Sequence, residues 1–302
     1  MQFGIMLPHY KQVAATDAIK RVATAAERLG YHSIWVSDHI VIPNEAIDRF
    51  GEVFYDPLAV LAYVAACTER VQLGSSVLIL PYRNPIQVAK VTATLDNLSQ
   101  GRLLVGVGVG GLTAEFRTLQ APWEERGDYA DEALRIFKEL WTNPAPRFHG
   151  KYHQFNAIQC QPRPVQQPHP PLWIGGNSRR AVRRAAELGD VWHPSRADVA
   201  TINALRPRLY SLAERAGRDP QALGIAVRQP MKITTVAEAL PAWPLVGPAS
   251  AVIDAVGQFR DAGVGHMVLD TFYSIPELAG ESITSMLETM ERFASEVMPH
   301  CT

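Results

Sequence analysis

Strand-like and helix-like stretches alternate along this chain from one end to the other, and that alternation constrains the fold more than any other feature. A buried strand shows as a short apolar run, a helix as apolar side chains recurring every three or four residues. Residues 2–7 read as a first strand. Residues 17–29 then place apolar groups at Ile19, Val22, Ala23, Ala26 and Leu29, with Gly30 as a C-terminal cap. Further strands are expected over 33–37, 71–80, 102–109, 172–175, 190–193, 223–233 and 266–271. The helices between and after them are expected over 57–68, 86–98, 128–141, 178–188, 201–216, 248–262 and 281–297. Eight strand–helix pairs in 302 residues predict an α/β fold, a single (β/α)8 TIM barrel occupying residues 1–302 as one domain. The rival, an open doubly wound sheet, would carry a Gly-rich fingerprint after its first strand. Leu7-Pro8-His9-Tyr10 stands there instead. One stretch breaks the alternation: residues 143–171, rich in Pro, Gln and His and hairpin-like over 148–155, read as an insertion over the barrel top. Residues 239–249, with three prolines, read as an ordered loop.

Bulk properties narrow the function. The chain is 47% apolar, enough for a large core, and its net charge of −1 comes from mixed signs, which gives no case for nucleic acid or a membrane surface. Cys67, Cys160 and Cys301 are far apart and read as reduced thiols. No apolar run approaches the ~18 residues of a membrane span and no signal-like segment opens the chain, so a cytoplasmic location is expected.

In a barrel, chemistry sits at the C-terminal ends of the strands. That rule selects His9 and Tyr10, then Asp38 and His39, then Ser75, Ser76 and Tyr82 to Asn84, then Gly108 to Gly111 with Glu115 beyond, then the turn at 175–178, then Trp192 and His193. Asp38-His39 is the sharpest pair. A carboxylate beside an imidazole can hold a cofactor ring or move a proton, and can equally cap a segment and pack under a loop. Gly106 to Gly111 resembles a nucleotide loop but lacks the acidic residue such loops carry about 20 positions on. Small residues there let a flat ring approach the backbone, or simply allow close packing. Asn84-Pro85 reads as a helix cap and first helical residue, which leaves Tyr82 and Arg83 unexplained.

Residues 171–192 are the most informative single stretch. A short strand ends at Gly175-Gly176, and Asn177 or Ser178 can cap the next helix, so several backbone N–H groups face outward at the positive helix end. Arg179, Arg180, Arg183 and Arg184 lie in its first two turns, where the dipole favours acids. A bound anion would resolve the conflict; a solvated basic face is the alternative. A metal site is not expected. Only His9 follows the first strand, and His149, His153 and His169 sit in the insertion without carboxylate partners. No Gly-x-Ser-x-Gly elbow occurs.

Taken together, residues 33–39, 73–85, 101–110, 125–127 and 171–194 resemble the bacterial luciferase-like superfamily of flavin and deazaflavin oxidoreductases, over nearly the whole chain. The resemblance implies a barrel that binds FMN or coenzyme F420 across its mouth. By similarity Asp38 contacts the pyrimidine-like end of the ring, and Ser76-Val77 fall where the family has a non-prolyl cis peptide backing it. Gly108 and Gly110 lie along the ring, and Gly175, Gly176, Asn177, Ser178 and Arg179 form the phosphate turn. Asp38-His39, the 80–85 segment and Glu125-Arg-Gly127 are most similar to the F420-dependent branch, where hydride moves to or from the deazaflavin while a side chain handles a proton. Sugar-phosphate dehydrogenases of that branch carry a glutamate where Gly111 stands here. His39 is the first candidate for the acid/base and Glu115 the second. The resemblance thus implies an F420-dependent oxidoreductase acting on a small organic substrate, as a homodimer. The alternatives are an FMN-dependent monooxygenase supplied by a separate flavin reductase and using O2, and a flavin-binding protein without turnover. Tyr10, Phe54, Tyr55, Trp123, Trp192 and Trp243 could line an apolar pocket or pack a lid.

Overall fold

The apolar runs become strands because each is buried on both faces, as a parallel sheet requires. The computed structural model describes residues 1–234, 243–272 and 282–301. Its principal elements are β1 (Gln2–Met6), α1 (Thr16–Arg28), β2 (Ser33–Val36), α2 (Pro57–Ala65), β3 (Gln72–Ser75), α3 (Pro85–Leu98), β4 (Leu103–Gly108), α4 (Arg126–Thr142), β5 (Leu172–Gly175), α5 (Arg179–Leu188), β6 (Val191–His193), α6 (Val199–Arg215), β7 (Gly224–Pro230), α7 (Ala249–Asp261), β8 (His266–Asp270) and α8 (Ile283–Arg292). Every neighbouring pair from β1 to β8 is parallel, and β8 pairs back with β1, so the sheet closes into the expected (β/α)8 barrel. The interior is filled by packed rings, mostly tilted or edge-to-face: Trp35 lies 4.6 Å from Trp173, and both pack against His193 and His266.

Helix starts follow their caps. Asp56 and Asn84 accept N–H bonds from the first turns of α2 and α3, each with Pro at the first helical position. Ser178, Asp198 and Ser282 cap α5, α6 and α8. Several boundaries differ from the sequence reading. The third strand is not continuous over 71–80. β3 ends at Ser75, a cis peptide joins Ser76 to Val77, and Leu78–Ile79 resumes pairing with β4. The seventh strand ends at Pro230, whose missing N–H cannot extend a ladder, and Lys232–Ile233 pairs instead with Val246–Gly247 outside the barrel. The eighth helix passes into a π-turn at Phe293–Val297. Of the loop expected at 239–249, residues 239–242 lie outside the described residues, as does Glu281.

The insertion is placed differently from expectation. Phe148–His149 and Gln154–Phe155 do form an antiparallel hairpin, but it climbs the outside of α4 and does not cross the barrel mouth. Glu132 of α4 accepts the backbone N–H groups of Lys151, Tyr152 and His153, and Lys151 pairs with Glu125. Asp96 of α3 anchors the return through the N–H groups of Val165 and Gln166. The connection starts and ends at the bottom of the barrel, and carboxylates on two helices hold it against the outside of the helical layer. His153 therefore has a carboxylate partner after all, Glu132 at 3.1 Å.

Candidate active site

A cavity of ≈ 400 Å³ opens at the C-terminal ends of the strands, within the size range of small-molecule sites. Its floor is the Ser76–Val77 bulge. The chain passes so closely there that glycine is the only residue that fits beside it. A Cβ on Gly108 would lie 2.6 Å from Val77 Cγ2, and one on Gly175 2.9 Å from Val77 Cγ1. Gly110 has φ +70°, and a Cβ there would meet Ile79 and Phe116 at 2.8 and 2.9 Å. The strand-four glycines thus do two things at once. They pack against the bulge, and Gly108, Gly110 and Gly111 add no side chains to a cavity wall that they share with Val109 and Leu112.

Asp38 and His39, adjacent at the end of β2, both line this cavity. Arg83 grips Asp38 with Nη2 to Oδ1 at 2.7 Å and Nε to Oδ2 at 3.1 Å, and Ile79 N–H reaches Oδ2 at 2.9 Å. Burial pushes the Asp38 carboxyl upward, and the Arg83 fork and the Ile79 N–H work against that push. The same Arg83 Nη2 reaches Asp56 Oδ2 at 2.9 Å.

His39 is bound by the other acid singled out from the sequence. Its Nδ1 lies 2.6 Å from Glu115 Oε2, on the short helix Thr113–Thr118 that the sequence reading did not mark. Tyr82 OH donates to the same oxygen at 3.1 Å, and the N–H groups of Ile40 and Val41 donate to Oε1 at 2.7 and 3.2 Å. Glu115 is fully buried. Burial alone would raise its carboxyl, but the His39 bond and the backbone donors outweigh it and hold the group below the usual carboxylate range. An ionised carboxylate only accepts, so Nδ1 of His39 carries the proton and Nε2 is left as the basic nitrogen. Phe50 and Phe54 flank the ring, with centroids 4.2 and 5.1 Å away.

At the opposite wall, Gly175 and Gly176 line the cavity, Ser178 Oγ caps α5, and Asn177 Nδ2 holds Ser195 O at 3.3 Å. The arginines behind this turn are not a free cationic cluster. Arg184 pairs with Asp131 and donates to Gly127 O at 2.9 Å, Arg183 reaches Asp131 at 3.1 Å, and Arg180 reaches Asp128 at 3.5 Å. Acids of α4 thus resolve the dipole conflict for three of the four. Arg179 is exposed, with no hydrogen bond or ion pair to the described residues.

One functional neighbour, Arg228, was not singled out from the sequence. Arg228 lines the cavity from within β7, forked onto Asp270 at 3.0 and 2.5 Å and donating to Ser76 O at 2.9 Å. Its signal was an arginine inside an apolar strand, which only a buried partner explains. His193 meets Ser76 Oγ at 2.9 Å, and burial, reinforced by the Arg228 charge, lowers it to about 3, so it is neutral. Burial likewise lowers His9 to about 4, where it ties the ends of β1 and β2 together through Leu7 O and the Ser37 backbone. Of the aromatic candidates only Tyr10 lines the cavity. Phe54 stacks behind it, Trp192 is in the core with its N–H on Gly176 O, and Trp123 packs on Phe116. Among the described residues no group of His, Cys, Asp and Glu is arranged to hold a metal ion, and no helix is long and apolar enough to cross a membrane.

Residues 1–242 match the sequence profile of the luciferase-like monooxygenase family. The chain belongs to that family. Luciferase-like proteins are oxidoreductases and monooxygenases, and the relatives of this chain include both deazaflavin and flavin users. The F420-dependent hydroxymycolic acid dehydrogenase of Mycobacterium tuberculosis is 29% identical over 224 residues, covering 73% of this chain and 60% of that protein. The FMNH2-dependent dimethylsulfone monooxygenase of Pseudomonas putida is 29% identical over 214 residues, covering 70% and 56%. A solved monooxygenase of Streptomyces bottropensis superposes over 100% of both chains with a TM-score of 0.84 at 23% identity, which shows a shared barrel fold.

Proposed function

We propose that this luciferase-like protein is a coenzyme F420-dependent oxidoreductase that moves a hydride between the deazaflavin and a small organic substrate. The observation that carries the reading is the His39–Glu115 pair at the cavity wall, a proton-handling dyad of the kind that alcohol–carbonyl interconversion needs. A flat ring fits the cavity described, because one wall is rich in glycine and the floor is the Val77 bulge.

In this reading the N-terminal turn of α5, with Arg179, takes the phosphate, and Asp38, Ser76, Val77, Gly108 and Gly110 contact the ring. Bound F420 supplies a carbon centre that accepts or releases hydride. His39 Nε2 takes the hydroxyl proton as an alcohol is oxidised and returns it when a carbonyl is reduced. Glu115 fixes the imidazole tautomer and stabilises the cation that forms. Phe50 and Phe54 exclude water beside the imidazole.

The test is equilibrium binding of the purified chain to F420 and to FMN, followed by quenching of tryptophan fluorescence. Preference for F420 is expected. Preference for FMN, with substrate-dependent oxygen uptake, would overturn the proposal in favour of the monooxygenase chemistry named for the Pseudomonas relative.

A further inference from the structure

We propose that Tyr82 is a positioning residue that sets the basicity of His39 through Glu115; the inference rests on the reading of His39 as the acid/base. Both Nδ1 of His39, at 2.6 Å, and the Tyr82 hydroxyl, at 3.1 Å, donate to the single oxygen Oε2. The other oxygen is occupied by Ile40 and Val41 N–H. Two donors on one oxygen share its charge, so the bond from Tyr82 weakens the hold of Glu115 on the protonated imidazole. Tyr82 therefore lowers the basicity of His39 from two bonds away, without being among the residues that line the cavity.

The phenol is fixed for this task. Its ring packs edge-on against Phe116, with centroids 4.7 Å apart, and Phe116 follows Glu115 directly on the same short helix. Burial, and the neighbouring charge of Glu115, push the phenol well above its ordinary range, so it stays a donor. The other titratable and charged groups around the dyad are His9 on the β1 side, Asp38 with Arg83 and Asp56 behind it, and Arg49 over the Phe50 ring. A Tyr82→Phe change leaves all of them in place and keeps the ring packed.

The experiment is an NMR titration of labelled histidine in the purified chain, without cofactor or substrate, with the His39 signal assigned by its loss in His39→Gln. In Tyr82→Phe the His39 titration is expected to move upward by about one pH unit, the size of one charge-assisted hydrogen bond redistributed. In a Glu115→Gln background, Tyr82→Phe is expected to cause no further movement, because the coupling passes through the carboxylate. An unmoved His39 in Tyr82→Phe, or an equal shift with and without the Glu115 charge, would overturn the proposal. No ligand enters this measurement, so failure of F420 binding leaves it intact. If F420 turnover is found, the same upward displacement is expected in the basic nitrogen's limb of the pH–rate profile, and its absence there would remove the catalytic role while leaving the titration result.

Discussion

Arg228 and Asp270 form an ion pair that is almost wholly removed from water, with side chains 7% and 0% exposed. Replacing Arg228 with Met keeps the aliphatic bulk and deletes both forks onto Asp270 and the bond to Ser76 O. A buried carboxylate stripped of its partner destabilises a fold by about 3–5 kcal/mol. Arg196 also attracts Asp270, more weakly, so the lower half of that range is expected. With a urea m-value of about 3 kcal/mol/M, the unfolding midpoint falls by roughly 1 M. The assay is urea unfolding followed by tryptophan fluorescence, to which the buried Trp35, Trp173 and Trp192 contribute. Its pH dependence is diagnostic. Burial pushes Asp270 upward and Arg228 pulls against it, so in the variant the upward push goes largely unopposed. A carboxyl whose folded pKa is raised destabilises the fold once pH exceeds its unfolded value of about 4. The deficit is therefore small near pH 4 and grows as pH rises. Arg228→Met combined with Asp270→Leu is expected to recover most of the loss, because an apolar pair of similar volume needs no charge compensation. A loss under about 1 kcal/mol that does not vary with pH would mean the pair is solvated, and would refute the reasoning.

Four further outcomes follow from the same geometry. Gly110→Ala forces a left-handed residue and a Cβ 2.8 Å from Ile79, so about 1–3 kcal/mol of stability and most ring binding are lost, read by thermal melting and by cofactor titration. Arg179→Ala is expected to leave the melting temperature unchanged while weakening F420 binding about tenfold. Arg184→Ala does the opposite, unfolding at lower denaturant because it leaves the largely buried Asp131 to the half-exposed Arg183 alone and strips Gly127 O of its donor, with its effect on binding secondary. Glu115→Gln lowers turnover by at least 10²-fold. The folded Glu115 carboxyl is held below its unfolded value, so the stability it adds is complete above about pH 4.3 and is lost as pH falls through the folded value. The gap in urea midpoint between wild type and Glu115→Gln is accordingly widest near neutrality and closes in acid.

The barrel was legible because its signal is repeated: eight apolar runs separated by periodic helices admit few closed arrangements, and capping pairs such as Asn84-Pro85 mark the joints. What failed to read through was non-local. The insertion at 143–171 has a clear hairpin pattern, but its position depends on Glu132 and Asp96, carboxylates on other helices. The pairing of Arg180, Arg183 and Arg184 could not be read because their counter-ions lie some fifty residues earlier in α4. By its apolar pattern strand three looked continuous, and only the family resemblance placed the observed cis peptide at Ser76-Val77. The departure of these two residues from the strand is set by the strand-four and strand-five glycines beside them.

The pairing of Asp38 with His39 gains its meaning from the segment that caps α3. The helix-cap reading accounts for Asn84 and Pro85 and leaves Tyr82 and Arg83 over. In the fold these two residues face the two neighbouring side chains of β2's end: Arg83 holds Asp38, and Tyr82 holds the glutamate that holds His39. Tyr129 OH then fixes the backbone of that segment through Arg83 O at 3.2 Å. The brace is thus one rigid turn, Leu80–Tyr82 followed by a capped helix, acting on two side chains that differ in role. Asp38 is clamped by a cation that cannot lose its charge, which suits a residue that must present a fixed carboxylate. His39 is held by a carboxylate shared with a phenol, which leaves its proton affinity adjustable. Rigidity at one position and tunability at the next, from adjacent residues of a single turn, is what a site needs when it must hold a ring still and move a proton beside it.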